Sequence, residues 1–433
     1  MCSSDLLKLS LLGGGRSGQS SLFDEPELSW SDIFPEVFTG KERGFDLVIG
    51  NPPFLSQLQA ETLLDSSVSD ALVARFGNSL SRLTNPASVF LLIATELVSD
   101  RGVVTMIQPA SFLATRESAE IRSMLVRGRT LSDLWVGGSK IFDAAVEVVG
   151  ISLTRTTLDV PTRISVGRNF KLAAVVRPPT IEDKTWSYLL ARAKGVPACA
   201  YESGGVVGDI ASATADFRDQ YYGLVGVVRE AGSSDAEASQ MRLATVGLID
   251  LGEFLWGQRS TRFAKTKYTQ PVVAVSNLPK ELAGWASSRK RPKILVSNQT
   301  RIVEVFVDDL GDVLPSVPIL TVDCEADDLW RVAASLASPV ASILATERHL
   351  GAGMSADVIK MSAKDLLNLP LPSNSEKWSE GSILFQRIHR THDPSIRNEL
   401  LTQFGHVMCE AFDAPLEVFN WWWGRIPKRK QVI

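Results

Sequence analysis

The run Asn51-Pro52-Pro53-Phe54 has residue types and an order that suit chemistry at a planar amine. The Asn51 side-chain oxygen and the Pro52 carbonyl could each accept a hydrogen bond from one exocyclic amine of a nucleobase, and draw its nitrogen toward tetrahedral geometry. The two prolines fix the local φ angles and preorganise the turn. Phe54 could stack on a base turned out of its helix. A rigid turn without chemistry is the alternative, because Asn and Pro favour turns.

The elements around this tetrapeptide predict how it is positioned. The apolar run 45–49 precedes it and predicts a strand covered on both faces. Strands and helices alternate after it, which predicts right-handed crossovers and a mostly parallel sheet that would deliver Asn51 to its carboxyl edge, where open α/β proteins bind ligands. The predicted helices are 55–76, 86–99 and 117–127, and the predicted strands are 103–107, 131–136 and 146–153. The strand 146–153 could be antiparallel and lie at the edge of the sheet.

The stretch 44–54 resembles the catalytic motif of amino-methylating DNA methyltransferases, particularly the large N6-adenine enzymes of type IIG restriction-modification and related phage-defence systems. Segments 34–38, 108–113 and 140–142 are also similar to that family, and Phe142 is either a second wall of the base pocket or a core residue. The resemblance implies an α/β fold, with a partial Rossmann-like class I methyltransferase sheet followed by a mixed α/β target-recognition region. It also implies catalytic roles for Asn51, Pro52, Pro53 and Phe54, S-adenosylmethionine as cofactor and double-stranded DNA as substrate.

The glycine loop and the acidic residues with which that family binds its cofactor are not recognisable, so the cofactor-binding residues stay unassigned. The cluster Gly13–Gly18 predicts a flexible loop, and Asp5, Asp24 and Asp32 are either ligands or solvent-facing acids. Residues 1–12 resemble the helix after the family's second strand. We therefore expect an upstream polypeptide to supply the cofactor-binding half, with a decayed, inactive enzyme as the alternative. The chain alone is expected to bind S-adenosylmethionine poorly.

Charge is unevenly distributed along the chain. A net charge of -4 argues against a protein that coats nucleic acid indiscriminately, yet between 255 and 305 ten basic residues face only two acidic ones. Interleaved aromatic residues could stack on bases, although a solvated basic face is the alternative. These aromatic residues are Trp256, Phe263, Tyr268 and Trp285. The candidate DNA-binding residues are Arg259, Arg262, Lys265, Lys267, Arg289, Lys290 and Arg291.

The chain is predicted to contain a partial methyltransferase catalytic domain at 1–160, a connecting segment at 161–206 and a target-recognition region with C-terminal helices at 207–433. Segments 293–296 and 351–372 are similar to recurring core elements of that region. Trp421-Trp422-Trp423 is expected to dock on the preceding domain rather than on DNA. The predicted strands of this half are 270–275, 293–297, 302–307 and 319–322, and the predicted helices are 181–194, 327–336, 339–346 and 393–412.

The remaining features exclude several classes. Cys2, Cys199, Cys324 and Cys409 are far apart, and the histidines lack metal-ligand spacing, so no metal site is expected. No apolar run reaches the roughly 18 residues that span a bilayer, and no export signal is recognisable, so a cytoplasmic location without a membrane partner is expected. The predicted function is site-specific DNA adenine N6-methylation. The alternatives are an inactive DNA-binding specificity fragment and a protein or RNA methyltransferase.

Overall fold

The computed structural model describes residues 30–54, 74–76, 85–138, 147–155, 160–216, 218–232, 240–351 and 358–426. The chain divides into two compact units, unit 1 (Met1–Gly195) and unit 2 (Val196–Ile433). Several predicted features lie outside the described residues. They are Asp5, the cluster Gly13–Gly18, Asp24, most of the helix 55–76, Lys140–Phe142 and Ala352–Met354.

Unit 1 is built on a six-stranded mixed sheet. Its strands are β1 (Phe45–Gly50), β2 (Val98–Pro109), β3 (Arg129–Val136), β4 (Val148–Arg155), β5 (Thr162–Val166) and β6 (Lys171–Val176). The order is β1-β2-β4-β3-β5-β6. β1 pairs with β2, and β3 with β5, in parallel, whereas β4 is antiparallel to both of its neighbours. The fourth strand is antiparallel as predicted, but the prediction that it lies at the edge was wrong, because β2 and β3 flank it. The prediction of a mostly parallel sheet was also wrong, since β6 is antiparallel to β5 as well.

Five helices belong to the described part of unit 1: α1 (Trp30–Ile33), α2 (Pro35–Phe38), α3 (Pro86–Leu97), α4 (Ala119–Gly128) and α5 (Ser187–Ala193). α3, α4 and α5 pack on the sheet, whereas the aromatic rings of α1 and α2 contact Phe45 at the start of β1. α3 begins at Asn85, whose side-chain oxygen accepts a hydrogen bond from the Ala87 backbone N–H at 2.9 Å, and Pro86 supplies a preset φ. Along β2, buried Val104 and Met106 alternate with half-buried side chains on the opposite face. The core of unit 1 thus lies between α3, α4 and one side of the sheet.

The segment predicted as a connection between domains contributes β5, β6 and α5 to unit 1. The Thr162 hydroxyl donates to the Leu131 carbonyl at 2.7 Å. The buried Arg122 guanidinium donates to the carbonyls of Thr115 at 3.0 Å and Lys184 at 2.6 Å, and burial lowers its pKa to about 10. The change of composition near Pro161 marks a new hairpin of the same sheet, so this expectation is corrected for residues 162–193. The functional division into catalytic and recognition domains stays a prediction.

The described part of unit 2 contains two four-stranded sheets and three two-stranded ones. Its strands are β7 (Ser203–Val206), β8 (Ala211–Ala215), β9 (Arg229–Glu230), β10 (Gln240–Ala244), β11 (Ile249–Asp250), β12 (Glu253–Phe254), β13 (Thr261–Phe263), β14 (Thr266–Tyr268), β15 (Pro271–Ala274), β16 (Lys293–Ser297), β17 (Glu304–Asp308), β18 (Val313–Pro315), β19 (Leu320–Cys324) and β20 (Pro370–Pro372). The larger sheets have the orders β18-β10-β15-β9 and β17-β16-β19-β8. The pairs are β11-β12, β13-β14 and β20-β7.

Eight helices complete the described part of unit 2. They are α6 (Arg218–Leu224), α7 (Lys280–Ser288), α8 (Leu329–Ala337), α9 (Pro339–His349), α10 (Ala363–Leu367), α11 (Ser375–Arg390), α12 (Pro394–Ala411) and α13 (Leu416–Trp423). Trp422 is fully buried and Trp421 nearly so. A Cβ at Gly405 would lie 2.8 Å from the Trp422 ring, so the tryptophan run packs closely on α12. The expectation that these rings dock inside the protein agrees with this packing.

A buried ion pair joins β16 to β17. The Lys293 ammonium and the Asp308 carboxylate are both fully buried and hydrogen-bonded to each other. Asp308 also accepts backbone N–H bonds from Gly311 and Val313, each at 3.0 Å. Burial lowers the pKa of Lys293 and raises that of Asp308. The two backbone hydrogen bonds hold the turn after β17. Each buried charge of the pair compensates the other.

Across the part of the chain that the structure describes, no single helix has the length and apolar character needed to cross a membrane. One bent pair, Ala326–Ala337 with Pro339–His349, meets those criteria only when both helices are taken together, and an angle of 58° separates them.

Candidate functional site

β1 delivers the tetrapeptide 51–54 to the carboxyl end of its strand. Asn51 is exposed, Pro52 is buried, and Pro53 and Phe54 are half-buried. The parallel register pairs Gly50 with Met106, and a Cβ at Gly50 would lie 3.0 Å from the Met106 side chain. Glycine at this position therefore lets the strand end pack tightly on β2. The anchored prolines then hold Asn51 at the surface.

The chain leaves the sheet at this point because proline has no backbone N–H. Two prolines in succession cannot continue the ladder with β2, whereas β2 runs on to Pro109 by pairing with β4. Within the described residues, the Asn51 side chain makes no hydrogen bond. The exposed Asn51 amide therefore lies at the carboxyl edge of the described sheet, and its catalytic role stays a prediction.

Gln108 is a buried polar residue near this edge; it lies in the segment 108–113 that resembles the methyltransferase family, but the sequence predicted no role for its side chain. It is fully buried on β2, and its amide donates to the Ala87 carbonyl at 2.8 Å. The bond ties the carboxyl end of β2 to the first turn of α3. Gln108 therefore helps to hold the sheet edge at which Asn51 lies. Because its side chain is buried, it is not available to contact a base.

β1 lies at the edge of the described sheet and exposes apolar side chains. Leu47 is 58% exposed and Ile49 is 72% exposed. Their β2 partners in the register are Val103 and Thr105, so both lie on the face away from α3. The prediction of a strand covered on both faces was wrong for this face, since the described helices cover only the other one.

The basic residues of unit 2 fall into two groups in the structure. Arg262, Lys265 and Lys267 are exposed on the β13–β14 pair. Arg259 is half exposed, with a guanidinium nitrogen 3.6 Å from an Asp250 carboxylate oxygen. These four side chains can reach a ligand in solution, although Arg259 already has an acidic partner.

The second group is held mainly by internal contacts. Arg289 is buried and donates to Asp216 at 2.7 Å and to the Thr214 hydroxyl at 3.2 Å. Arg291 donates two hydrogen bonds to the Asp323 carboxylate, at 2.9 and 2.7 Å, and this bonding raises the pKa of Arg291. Lys290 is exposed. The structure therefore argues against Arg289 as a DNA contact and gives Arg291 a structural partner.

The aromatic residues of the basic segment pack inward and do not form a stacking platform. Phe263 is buried. The Trp256 indole donates to the Pro271 carbonyl at 2.8 Å, and the Trp285 indole donates to Asp216 at 3.0 Å. Tyr268 packs against the same core as Phe263. The expectation that these rings stack on bases is corrected, because their faces serve the core of unit 2.

Glu304 on β17 is an unusual acidic group that the sequence did not reveal. Burial and, to a lesser extent, the nearby Asp250 carboxylate raise its pKa to about 8, while Arg259 acts in the opposite direction. Asp250 is itself buried. No sequence signal could have found this group, because Asp250 and Glu304 meet only through the pairing of elements far apart in the chain.

Among the described residues, no cluster of three or more His, Cys, Asp or Glu side chains has an arrangement that could hold a metal ion.

β1, the turn after it and the exposed Asn51 lie within a segment that matches one protein-family model. Residues 16–142 match the Eco57I restriction-modification methylase family. This methylase segment includes β1, β2, β3 and the tetrapeptide. No curated protein matches the chain in sequence.

Solved structures similar to the chain come from restriction-modification enzymes. The type IIL enzyme MmeI in complex with DNA is 10% identical, with a TM-score of 0.48 over 89% of this chain and 55% of that chain. The type IIG restriction endonuclease BpuSI is 14% identical, with a TM-score of 0.31 over 89% of this chain and 54% of that chain. The ATP-dependent type ISP enzyme LlaBIII bound to DNA is 11% identical, with a TM-score of 0.40 over 88% of this chain and 31% of that chain. The chain thus spans little more than half of the length of the first two.

Restriction-modification methylases generally use S-adenosylmethionine as cofactor. The described part of the matched segment 16–142 does not form a binding site for this cofactor. Gly44, with φ of 109°, lies at the amino end of β1, and a Cβ there would lie 2.5 Å from the Ser99 backbone nitrogen. A Cβ at Gly102 would lie 2.6 Å from the Phe45 carbonyl oxygen. Both glycines therefore allow close packing between chain segments. Neither forms a cofactor cradle at the carboxyl edge near Asn51.

Proposed function

We propose that this chain carries the base-binding and DNA-contacting parts of a restriction-modification DNA methyltransferase that modifies the N6 amine of adenine. The observation that carries this proposal is the exposed Asn51 amide, which the buried Pro52 holds at the carboxyl edge of the sheet. The match of residues 16–142 to a restriction-modification methylase family supports it.

The chemistry of the acceptor explains why this arrangement suits adenine. The lone pair of the exocyclic amine is delocalised into the ring, so the nitrogen is a poor nucleophile in the ground state. The Asn51 side-chain oxygen and the Pro52 carbonyl would accept its two N–H groups and stabilise the positive charge that develops during transfer. Phe54, which is half-buried, would offset part of the cost of unstacking the base.

S-adenosylmethionine is the proposed methyl donor, and residues beyond those described would hold it. β1 is an edge strand of the described sheet, which supports a further strand at this position. A strand buried on both faces of a parallel sheet is usually apolar throughout, as the run 45–49 is. We therefore propose that an upstream polypeptide with an apolar strand and the cofactor-binding half completes the sheet along β1.

A methyl-incorporation assay tests this function. The chain is incubated with labelled S-adenosylmethionine and host DNA, with and without the product of the adjacent upstream reading frame. We expect N6-methyladenine at one recognition sequence, and more of it when the upstream product is present than when it is absent. Long-read sequencing identifies that sequence. Label in protein or RNA, or in cytosine, would overturn the adenine assignment. Duplex binding without any label would favour an inactive specificity fragment.

Asn51→Ala removes one of the two proposed acceptors. We expect kcat for methyl transfer to fall about 100- to 1,000-fold, since one preorganised hydrogen-bonding group at a developing charge is worth that much. The affinity for duplex DNA should stay within about twofold. Asn169→Ala, at an exposed turn of the same unit, serves as the matched control and should keep full activity. Equal rates for the two variants would exclude Asn51 from catalysis.

A further inference from the structure

The β13–β14 pair is a tight hairpin with an unusual turn. Its two connecting residues, Ala264 and Lys265, have φ of 47° and 70°. A two-residue hairpin with positive φ at both positions normally uses Asn-Gly or Gly-Gly, because a Cβ is strained there. The chain keeps a lysine at the tip despite this strain, which points to a role for the side chain at that place.

The hairpin is held rigidly by its inner face. The Phe263 ring is buried, and its centroid lies 4.8 Å from that of Tyr221. The Ala264 backbone N–H donates to the Tyr221 hydroxyl at 3.3 Å, and the hydroxyls of Thr261 and Thr245 are hydrogen-bonded at 2.6 Å. The outer face is therefore presented in a fixed orientation, and little entropy would be lost if a ligand ordered it.

The outer face carries concentrated positive charge. Arg262 lies directly opposite Lys267 in the antiparallel register, so both side chains project from one face. Like charges directly opposite each other destabilise a sheet. Residues 260–270 contain no acidic residue, and within the described part of the chain Arg262, Lys265 and Lys267 form no ion pair. A polyanion would relieve this repulsion.

We propose that this hairpin lies in the major groove of double-stranded DNA, with Arg262 and Lys267 on phosphates and Lys265 directed toward base edges. The major groove admits a two-stranded β-ribbon, and its base edges carry the acceptors that a lysine can bind. The inference rests on the proposed function, since it names the element by which the same protein meets its DNA substrate. It also separates Arg262, Lys265 and Lys267 from Arg289 and Arg291, which have internal partners.

The first experiment measures the binding of the whole protein, with its cofactor-binding partner, to its duplex at several salt concentrations. The double variant Arg262→Ala, Lys267→Ala should reduce the magnitude of the negative slope of log affinity against log salt by about 1.8, because each phosphate contact on B-form DNA contributes about -0.9. The control variant Lys364→Ala, Arg387→Ala removes two exposed positive charges elsewhere in unit 2 and should leave the slope unchanged. Equal slopes for the parent and the hairpin variant would overturn the proposal.

A second experiment distinguishes the groove. Guanine N7 faces the major groove, so dimethyl sulfate footprinting should show protection by the parent protein and loss of that protection with Lys265→Ala. The charge-preserving variant Arg262→Lys, Lys267→Arg, which should unfold at the parent's Tm, should keep the salt slope. Unchanged protection of guanine N7 with Lys265→Ala would show that the Lys265 side chain does not lie in the major groove. If methyl transfer is absent while these binding effects remain, the proposed function fails and the hairpin contact stands.

Discussion

Glu304 is a carboxyl group that the structure keeps protonated near neutral pH. Its folded pKa of about 8 is raised by burial and by Asp250, and it lies above the value near 4.5 expected in the unfolded chain. A raised carboxyl pKa contributes stability that is present below the unfolded pKa and is lost as pH rises through the folded pKa. The free energy of unfolding should therefore fall between about pH 4.5 and pH 8.

Replacing this carboxyl with an amide should remove its contribution to the pH dependence of the free energy of unfolding. We expect Glu304→Gln to be more stabilising, relative to the parent, at pH 9 than at pH 5, by on the order of 1–3 kcal/mol. Urea unfolding at both pH values measures the difference. Glu281→Gln changes an exposed carboxyl of the same unit and should give equal effects at both. A Glu304→Gln effect that is independent of pH would show that Glu304 is ionised in the folded protein.

At the residue scale, the sequence predicts groups whose chemistry is local. The Asn51 to Phe54 turn could be predicted because the residues that suggest its chemistry are adjacent in the sequence. Arg289 could not be assigned correctly, because its partner Asp216 lies 73 positions earlier in the chain. The inward packing of Trp256 and Trp285 was hidden in the same way. Charge counts along the sequence do not show which cations are already neutralised.

At the scale of elements, the hairpin tip allows a direct test of strain. We expect Lys265→Gly to raise the free energy of unfolding by up to about 1 kcal/mol, because glycine adopts φ of 70° without a Cβ clash. Denaturant unfolding measures the gain. Lys267→Gly, at a strand position two residues later, should destabilise the protein. A loss of stability with Lys265→Gly would mean that the lysine side chain supports the hairpin in the free protein.

Elements with strong local patterns were predicted well. The strand 293–297 matches β16, and the predicted helix 393–412 contains α12. α11 was missed because its sequence is mainly polar and includes Gly381, and its helical form depends on burying Trp378, Leu384 and Phe385. The position of β4 between β2 and β3 was also missed. Strand order depends on contacts between distant segments, which apolar periodicity does not encode.

At the scale of the whole molecule, the exposed apolar side chains of β1 allow a test of the proposed partner polypeptide. We expect Leu47→Lys, Ile49→Lys to leave the Tm of the chain nearly unchanged, since both side chains are exposed. The variant should bind the proposed cofactor-binding polypeptide at least about 100-fold more weakly, because the part of that polypeptide that covers this face of β1 would desolvate two charges. Co-purification and methyl incorporation measure the loss.

The opposite edge of the same sheet supplies the matched control. Leu172 and Val175 on β6 are 54% and 53% exposed, so Leu172→Lys, Val175→Lys adds the same charge to a similar surface. This variant should bind the partner normally. If both double variants bind it equally well, the partner does not use β1.

Trp186 has a practical consequence for anyone dividing this protein into fragments. Its ring is fully buried and meets Phe112 edge-on, with centroids 5.8 Å apart. A gene cut at codon 160 would remove this ring together with β5 and β6, and would leave a cavity beside Phe112 and an uncovered edge on β3. A cut after Gly195 keeps all three, so subcloning and limited proteolysis should respect that later boundary.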